Sequence, residues 1–416
     1  MRFFIEWHGC SMSKNETEMI KGVLEKNSFS EISNPEKADL IILNACGVKD
    51  ATENRMIKRI RELNELRKKN SRFIVFGCLS SISPERIKKI SDEIELCGVN
   101  LNDLCRLLEI SLCSFSPIVS VKRFNEFISI ISIAEGCLGK CSYCATVNAR
   151  GKLKSHPINE IKKSFENALK DTKEIWLTAQ DTGAYGFDSG KNLADLLKEL
   201  LKAEGNYRIR IGMMNPLHLK KFIKDYVKLF MDERLFRFVH LPVQSGSDKI
   251  LKAMKRGYSR KQFIDLCRIL RKEIPGVTIF TDIIAGFPGE TEKDFQDSVD
   301  LLELVKPDVI NISRFGARPN TEAALMPNQL PGSVKKKRSR ILTDLCIKFS
   351  FNANKKLVGS KQLVLVSEKG RKHGFMGRTS NYRSFAVKND LRGKFIESRV
   401  KKAFSSYLTG EIEKVF

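Results

Sequence analysis

Three cysteines of this chain lie close enough in sequence to bind one metal cluster. Cys137, Cys141 and Cys144 form a single C-x3-C-x2-C run. Iron–sulfur clusters are held by cysteine thiolates and normally take four protein ligands. Three ligands leave one iron open, and that iron can bind a substrate. Zinc is the alternative, but zinc sites usually pair two separated clips of ligands, and no second clip lies nearby.

A second set of three cysteines follows predicted strands. Cys10, Cys46 and Cys78 come almost directly after apolar runs at residues 2–7, 38–43 and 72–76. Helix-like segments alternate with these runs, which predicts a parallel sheet. Ligands of such sheets bind beyond the carboxyl ends of the strands, so we expect the three cysteines to share one edge. For each cysteine alone, a buried structural role is the alternative.

Composition limits the class of protein. Eleven cysteines in 416 residues, with no secretion signal, favour reduced thiols and a cytoplasmic location over a disulfide framework. No run of about 18 apolar residues appears, so we expect no membrane partner. The net charge is +24, and residues 355–416 carry 15 Lys and Arg against 5 Asp and Glu. This excess predicts a phosphate-rich partner, and a merely solubilising surface is the alternative.

The central part of the chain repeats strand and helix signals. Strand-like runs lie at 127–133, 174–177, 207–211, 237–241, 277–284 and 309–312. Helical stretches separate them, and polar or glycine residues follow several of them. This pattern predicts a β/α barrel or partial barrel, with its chemistry at the carboxyl ends of the strands.

The last segment reads as a small β-barrel of short strands. Aromatic residues and cations interleave there, at Phe375, Arg378, Tyr382, Arg383 and Phe385. Such a mixture suits backbone neutralisation and base stacking on RNA. The alternative is that the aromatic residues simply form the core of the barrel.

With these three blocks in this order, the chain resembles the tRNA methylthiotransferases, which are radical S-adenosylmethionine (SAM) enzymes. Tyr143 supplies the aromatic residue before the last cysteine of the radical SAM signature. The runs HLPVQSGS at 240–247 and TDIIAGFPGET at 281–291 are characteristic of the family. The runs at 144–151 and 176–186 are similar to the archaeal and eukaryotic branch. Asn320 departs from the family, since relatives often have glycine there.

The resemblance implies an α/β protein with three domains. These are an N-terminal parallel-sheet methylthiotransferase domain at 1–105, a radical SAM partial β/α barrel at 125–350, and a small β-barrel of the TRAM type at 355–416 that binds RNA. It also implies two [4Fe-4S] clusters, one on Cys137, Cys141 and Cys144 and an auxiliary one on Cys10, Cys46 and Cys78.

The implied reaction adds a 2-methylthio group to N6-threonylcarbamoyladenosine beside the tRNA anticodon. One SAM methylates a sulfur on the auxiliary cluster, and a second SAM yields a radical that removes the hydrogen at C2 of the adenine. The cofactors carry this chemistry because ordinary acid–base groups cannot open an aromatic C–H bond. The partners are the tRNA anticodon loop and an external electron donor, and no DNA is expected.

Individual contacts are also expected. The guanidinium of Arg150 suits the carboxylate of the threonylcarbamoyl group, and a salt bridge is the alternative. Arg378 is expected to contact RNA. The candidates for SAM binding are Tyr143, Gln180, Asp181, Gln244, Ser245 and Gly286. For several of these residues, a purely structural role in a turn is the alternative.

Three other functions remain open from the sequence. The same chemistry on another target, such as isopentenyl-modified adenosine or a ribosomal protein aspartate, needs the same residues. An RNA-binding protein with structural or redox-sensing clusters would not cleave SAM. A radical SAM methylase without sulfur insertion would have no need for Cys10, Cys46 and Cys78.

Overall fold

The structure is a computed structural model, and it describes residues 1–110, 122–370 and 373–416. Residues 111–121, which include Cys113 and part of the segment near 100–125 that the sequence indicates as a connection, lie outside the described residues. The strands are β1 (Arg2–His8), β2 (Ser30–Glu31), β3 (Leu40–Ala45), β4 (Arg72–Phe76), β5 (Glu95–Cys97), β6 (Ile128–Ser132), β7 (Ala134–Glu135), β8 (Lys154–Ser155), β9 (Glu174–Thr178), β10 (Arg208–Ile211), β11 (Phe238–His240), β12 (Thr278–Ala285), β13 (Val309–Arg314), β14 (Lys361–Lys369), β15 (Phe375–Thr379), β16 (Ser384–Val387), β17 (Phe395–Ala403) and β18 (Leu408–Val415).

The helices connect these strands. They are α1 (Ser11–Lys26), α2 (Asp50–Leu66), α3 (Cys78–Ile82), α4 (Pro84–Lys88), α5 (Leu101–Leu107), α6 (Thr146–Arg150), α7 (Ile158–Leu169), α8 (Leu193–Leu200), α9 (Pro216–Leu219), α10 (Ile223–Lys228), α11 (Asp248–Ala253), α12 (Arg260–Glu273), α13 (Glu292–Val305), α14 (Glu322–Leu325) and α15 (Gly332–Lys355). None of the helices within the described ranges is long and apolar enough to cross a membrane.

The chain folds into two compact units, each built from separate stretches. The first unit comprises Met1–Phe124, Ala134–Ser164 and Gly316–Leu325. The second unit comprises Asn125–Ile133, Phe165–Phe315 and Met326–Phe416.

The first unit contains a five-stranded parallel sheet in the order β2-β1-β3-β4-β5. Both faces of the sheet are covered, which explains why β3 is an almost continuous apolar run. Ile41 and Leu43 pack on one side with the helix α2, whereas Leu40 and Ile42 pack on the other with α1. This alternation is the period of two that a strand imposes. The parallel sheet predicted for the N-terminal domain is therefore confirmed.

The second unit contains six parallel strands in two sheets, β10-β9-β6 and β11-β12-β13. A single bridge between Ile209 and Leu235 lies beside the gap between the two sheets. The strands follow one another in chain order with helices between them, as the central pattern predicted. The arrangement is a partial β/α barrel, and each of the six predicted strand-like runs forms a strand.

The second unit also contains a closed five-stranded barrel in the order β14-β15-β16-β18-β17. Its core includes Val364, Val366, Ile396 and Leu408, and the aromatic ring of Phe385 lies among them. The small C-terminal β-barrel is thus confirmed. The α/β class and the three kinds of architecture that the sequence indicated are all present.

Candidate metal and cofactor site

Cys10, Cys46 and Cys78 lie at one edge of the five-stranded sheet. Each follows one of three neighbouring parallel strands, β1, β3 and β4. Cys10 is exposed, Cys46 is half-buried and Cys78 is buried. Cys46 N donates to His8 O at 3.0 Å, a Cβ on Gly9 would meet Cys46 Cβ at 3.2 Å, and a Cβ on Gly47 would meet Leu79 Cα at 3.0 Å, so the three strand ends lie close together. The structure therefore brings together the three cysteines that the strand-end pattern singled out.

Local packing holds this edge in place. The side-chain amide of Asn44, at the end of β3, donates to Ser13 O at 2.9 Å and to Thr17 Oγ1 at 3.0 Å, which ties β3 to α1. Gly77 has φ +103°, and a Cβ there would meet Asn44 Oδ1 at 2.5 Å. Only glycine adopts this backbone conformation without strain. Gly77 therefore allows the tight turn that places Cys78 at the start of α3.

Burial affects the protonation of the buried thiols. It raises the pKa of Cys78 to about 12, although the nearby charge of Arg150 acts in the opposite direction. Burial also raises the pKa of Cys46. Cysteine binds metal as the thiolate, so metal binding at this edge must release protons.

Cys137, Cys141 and Cys144 lie in the loop between β7 and α6. Backbone amides of the loop point at the sulfurs, since Gly139 N lies 3.3 Å from Cys137 Sγ and Thr146 N lies 3.5 Å from Cys144 Sγ. Such hydrogen bonds to sulfur are one of the means by which proteins tune iron–sulfur clusters.

The loop fits a cluster in its shape as well. A Cβ on Gly139 would meet Cys137 Sγ at 3.4 Å and Cys141 Sγ at 3.8 Å, so the backbone passes close beneath both sulfurs. Among the described residues, no three His, Cys, Asp or Glu side chains are placed to hold a single metal ion. The fit to a cluster therefore rests on the spacing of the three cysteines and on the glycine backbone beside their sulfurs.

Two SAM candidates follow β9 in the second unit. The side-chain oxygen Oε1 of Gln180 is buried and has no hydrogen-bond partner among the described residues. An unpaired buried acceptor is costly, and a ligand donor would remove that cost. Asp181 is instead fully engaged, because its carboxylate accepts from Gly183 N and Asn215 N at 3.0 Å each and lies 2.6 Å from His218 Nδ1.

Three further SAM candidates follow β11 and β12. Gln244 has φ +75°, a left-handed backbone that is uncommon outside glycine. Ser245 is fully buried and its hydroxyl accepts from Ser247 N at 3.2 Å. Gly286 has φ +79°, and its N–H donates to Glu290 Oε2 at 2.8 Å. Ser245 and Gly286 therefore have structural partners, and Gln244 has the strained backbone that often marks a functional position.

Arg150, expected to bind a substrate carboxylate, is already paired. Its side chain is 5% exposed and forms a bidentate ion pair with Glu16, with N···O distances of 2.5 and 3.1 Å. Its Nε lies 3.0 Å from Cys78 Sγ. Sequence reasoning missed this contact, because Glu16, Cys78 and Arg150 are far apart in the chain.

Arg378, expected to contact RNA, pairs with Glu368 at 2.5 Å and contacts Ser384. The ring of Tyr382 packs against Phe236 and Phe238 of the central strands. Arg383 forms an ion pair with Asp308. Two of the five residues of the predicted aromatic and cationic set, Tyr382 and Arg383, thus join the small barrel to the central segment.

The structure also reveals a polar pair that the sequence did not single out. His240 Nε2, at the end of β11, is in contact with Asp282 Oδ2, in the middle of the neighbouring strand β12, and both side chains are largely buried. Both residues lie in the two characteristic runs of the central segment. A histidine and an aspartate on two neighbouring predicted strands, at 237–241 and 277–284, were the signal that could have identified them.

Three family models match successive parts of the chain. The radical SAM superfamily matches residues 131–302, which include Cys137, Cys141 and Cys144. Uncharacterized protein family UPF0004 matches residues 2–98, and the TRAM domain matches residues 355–412. The radical SAM match supports SAM and an iron–sulfur cluster as cofactors.

Similar proteins extend over the whole chain. A probable threonylcarbamoyladenosine tRNA methylthiotransferase of Pyrococcus horikoshii is 39% identical, over 99% of both chains. The chain belongs to the threonylcarbamoyladenosine tRNA methylthiotransferase family. Another member of the family, the threonylcarbamoyladenosine tRNA methylthiotransferase of Homo sapiens, is 33% identical over 99% of this chain and 74% of its own length.

A solved structure agrees with the fold of this family member. The radical SAM methyltransferase TsrM of Kitasatospora setae superposes with a TM-score of 0.57, covering 78% of this chain and 77% of that one. The sequence identity is 13%, so the likeness concerns the fold alone.

Proposed function

We propose that this protein adds a methylthio group to C2 of N6-threonylcarbamoyladenosine beside the anticodon of tRNA. The observation that carries the proposal is the presence of two separate sets of three cysteines in a full-length member of the family. A single set would suffice for SAM cleavage, and the second set provides a place for the sulfur. The three functional domains are those expected at 1–105, 125–350 and 355–416.

Each cysteine set holds one [4Fe-4S] cluster in this proposal. When bound, the cluster on Cys137, Cys141 and Cys144 supplies the reducing electron for SAM cleavage, and the cluster on the other set supplies the sulfur. Two SAM molecules are consumed in each turnover, and the electron comes from an external donor. The protein holds these groups and the target base in place and excludes water.

Residues of the second unit contribute to SAM binding in this proposal. Gln180 offers its unpaired Oε1 to a donor of SAM, such as the amino group. Two hydrogen bonds to β12 fix the backbone of Gln244. Its N–H donates to Asp282 O at 2.7 Å, and its carbonyl accepts from Ile284 N at 3.0 Å. Asp181, Ser245 and Gly286 of this unit remain predicted contacts, as does Tyr143 of the first unit.

The tRNA contacts a basic and aromatic surface that we call the hairpin patch: Lys355, Lys356, Lys402, Phe404 and Tyr407. The two rings stack with centroids 4.5 Å apart at the β17–β18 turn, and Phe404 is 41% exposed. The exposed ring of Phe404, stacked on the half-buried ring of Tyr407, can accept an unpaired base. The three lysines are exposed, and no ion pair in the described part of the chain engages them.

The end of α15 lies beside this turn. Asn354 Nδ2 donates to Phe404 O at 2.7 Å, and Gly359 N donates to Val400 O at 2.9 Å. The lysines of α15 and the rings of the turn therefore form one surface. Arg378 remains a predicted RNA contact, although its ion pair with Glu368 lowers the charge that it offers to phosphate.

The reaction is tested with full-length protein, reconstituted without oxygen, and three single variants. We expect Cys10→Ala to abolish methylthiolation of tRNA but keep some SAM cleavage, and Cys137→Ala to lose both. Cys267→Ala is the control, since Cys267 is buried in α12. Iron analysis, SAM cleavage and nucleoside mass spectrometry are the measurements.

The wild type is expected to bind about eight irons, two four-iron clusters. Equal SAM cleavage by Cys10→Ala and Cys137→Ala would contradict the division of labour between the two sets. A methylthio group on another nucleoside would move the proposal to another target. No SAM cleavage by the wild type would favour a non-catalytic RNA-binding protein.

The hairpin patch has its own test, in which tRNA binding is measured by fluorescence anisotropy over a range of salt. Replacing Lys355, Lys356 and Lys402 by Gln should reduce the slope of log affinity against log salt by about 2, at roughly 0.7–0.9 per phosphate contact. The control replaces Lys224 and Lys228, two exposed lysines of α10, by Gln. Equal slopes for both variants would refute the patch.

A further inference from the structure

Arg150 lies between a predicted cluster ligand and a carboxylate. Its Nε is 3.0 Å from Cys78 Sγ, and its terminal nitrogens grip both oxygens of Glu16. Two nitrogens of the guanidinium are thus used by Glu16, and the third points at sulfur. All three residues belong to the first unit.

Packing of two short helices brings Arg150 to this place. The helices α3 and α6 share a small core that contains Cys78, Ile82, Ala145 and Ala149. Arg150 is the last residue of α6, and Gly151 follows it with φ +72°. The loop that carries the three-cysteine run therefore leads directly to a side chain that contacts the other cysteine set.

Burying the charges of Arg150 and Glu16 costs desolvation free energy, which their mutual pairing offsets. A guanidinium is always charged in proteins, and Arg150 is 5% exposed while Glu16 is 14% exposed. The carboxylate of Glu16 neutralises the cation and fixes the side-chain fork, so Nε keeps one direction. A hydrogen bond to a cluster sulfur stabilises the added electron and so raises the reduction potential of the cluster.

We propose that Arg150 is a positioning residue for the auxiliary cluster, with Glu16 as its support. Its Nε–H donates to Cys78 Sγ, which holds that thiolate in place and makes the cluster easier to reduce. The inference rests on the proposed function to the extent that Cys78 is a cluster ligand. It also assigns to Arg150 a role other than binding the carboxylate of the substrate.

The test isolates the auxiliary cluster in the full-length chain. Replacing Cys137, Cys141 and Cys144 together by Ala leaves only the auxiliary set of ligands. In this background, Arg150→Gln should lower the midpoint potential in an anaerobic titration followed by electron paramagnetic resonance. We expect the reduction equilibrium to change about tenfold, which is about 59 mV for one electron.

Two further variants separate this role from a structural one. Arg150→Lys keeps the charge and should restore part of the potential. Arg318→Gln is the matched control, because Arg318 forms another buried pair, with Glu53, in the same unit and touches no cysteine sulfur that the structure describes. It should lower stability and leave the potential unchanged.

The outcomes are distinct. A background chain that binds no iron would overturn both this inference and the two-cluster proposal. Bound iron with equal potentials in Arg150→Gln and its parent would overturn the inference alone. The same would follow if Arg318→Gln shifted the potential as much as Arg150→Gln.

Discussion

Replacing Gly136 by Ala should disrupt the loop of the three-cysteine run. Gly136 precedes Cys137 and has φ +68°, and a Cβ there would lie 2.0 Å from Lys152 O and 2.8 Å from Gly151 O. Both atoms belong to the backbone, so no side chain can rotate away. The hydrogen bond from Cys137 N to Gly151 O, at 3.2 Å, lies in the same place and would be lost or lengthened.

The magnitude follows from two contributions. A left-handed backbone costs a residue other than glycine about 1–2 kcal/mol. Overpacking typically costs about 1–3 kcal/mol more. We therefore expect Gly136→Ala to lower the free energy of unfolding by about 2–5 kcal/mol and to reduce the iron bound on reconstitution.

The control for this prediction lies in the same loop. Gly151 has φ +72°, but a Cβ there meets no atom within 4 Å. Gly151 has ψ −166°, a combination that is essentially restricted to glycine, so Gly151→Ala should lose only the backbone contribution of about 1–3 kcal/mol. Urea unfolding and iron analysis of both variants are the measurements. Equal stability and equal iron content in the two variants would refute the steric reasoning.

Three other predictions concern stability and binding. Gln244→Gly should change the free energy of unfolding by less than about 1 kcal/mol, since glycine relieves the left-handed backbone, while calorimetry should show weaker SAM binding. Burial raises the pKa of Glu6, but hydrogen bonds from its basic neighbours outweigh burial and lower it from 4.5 to about 2. The stability that Glu6 contributes should thus be full above about pH 4.5 and disappear as the pH falls towards 2, and Glu6→Gln should lose it in unfolding at neutral pH. Ser367→Ala should cost about 1–3 kcal/mol in chemical unfolding, because it removes the hydroxyl that donates to the buried carboxylate of Glu174.

Much of the fold could be predicted from local patterns. The apolar runs before Cys10, Cys46 and Cys78 became the neighbouring strands β1, β3 and β4, because parallel strands with both faces buried must be apolar along their length. The order of parallel strands then places the three cysteines at one edge. The role of these cysteines as cluster ligands remains a prediction.

The sequence was a poorer guide to which side chains are exposed and which pack or pair within the protein. The interleaved aromatic residues and cations of the last segment suggested an RNA surface, but Phe385 lies in the barrel core and Tyr382 packs on the central strands. A strand sequence gives the alternation of faces, and it does not say which face meets another part of the protein. An exposed ring lies instead at Phe404, stacked on the half-buried ring of Tyr407 in the β17–β18 turn.

The sequence by itself determined the spacing of Cys137, Cys141 and Cys144, the strand and helix periods, and the excess of positive charge. These properties depend on residues that are neighbours in the chain. Only the tertiary structure decided that Arg150 points at Cys78 and is held by Glu16, which lies 134 positions earlier. Such contacts arise from the packing of whole elements, here α6 on α3 beside the sheet, and no local pattern encodes that packing.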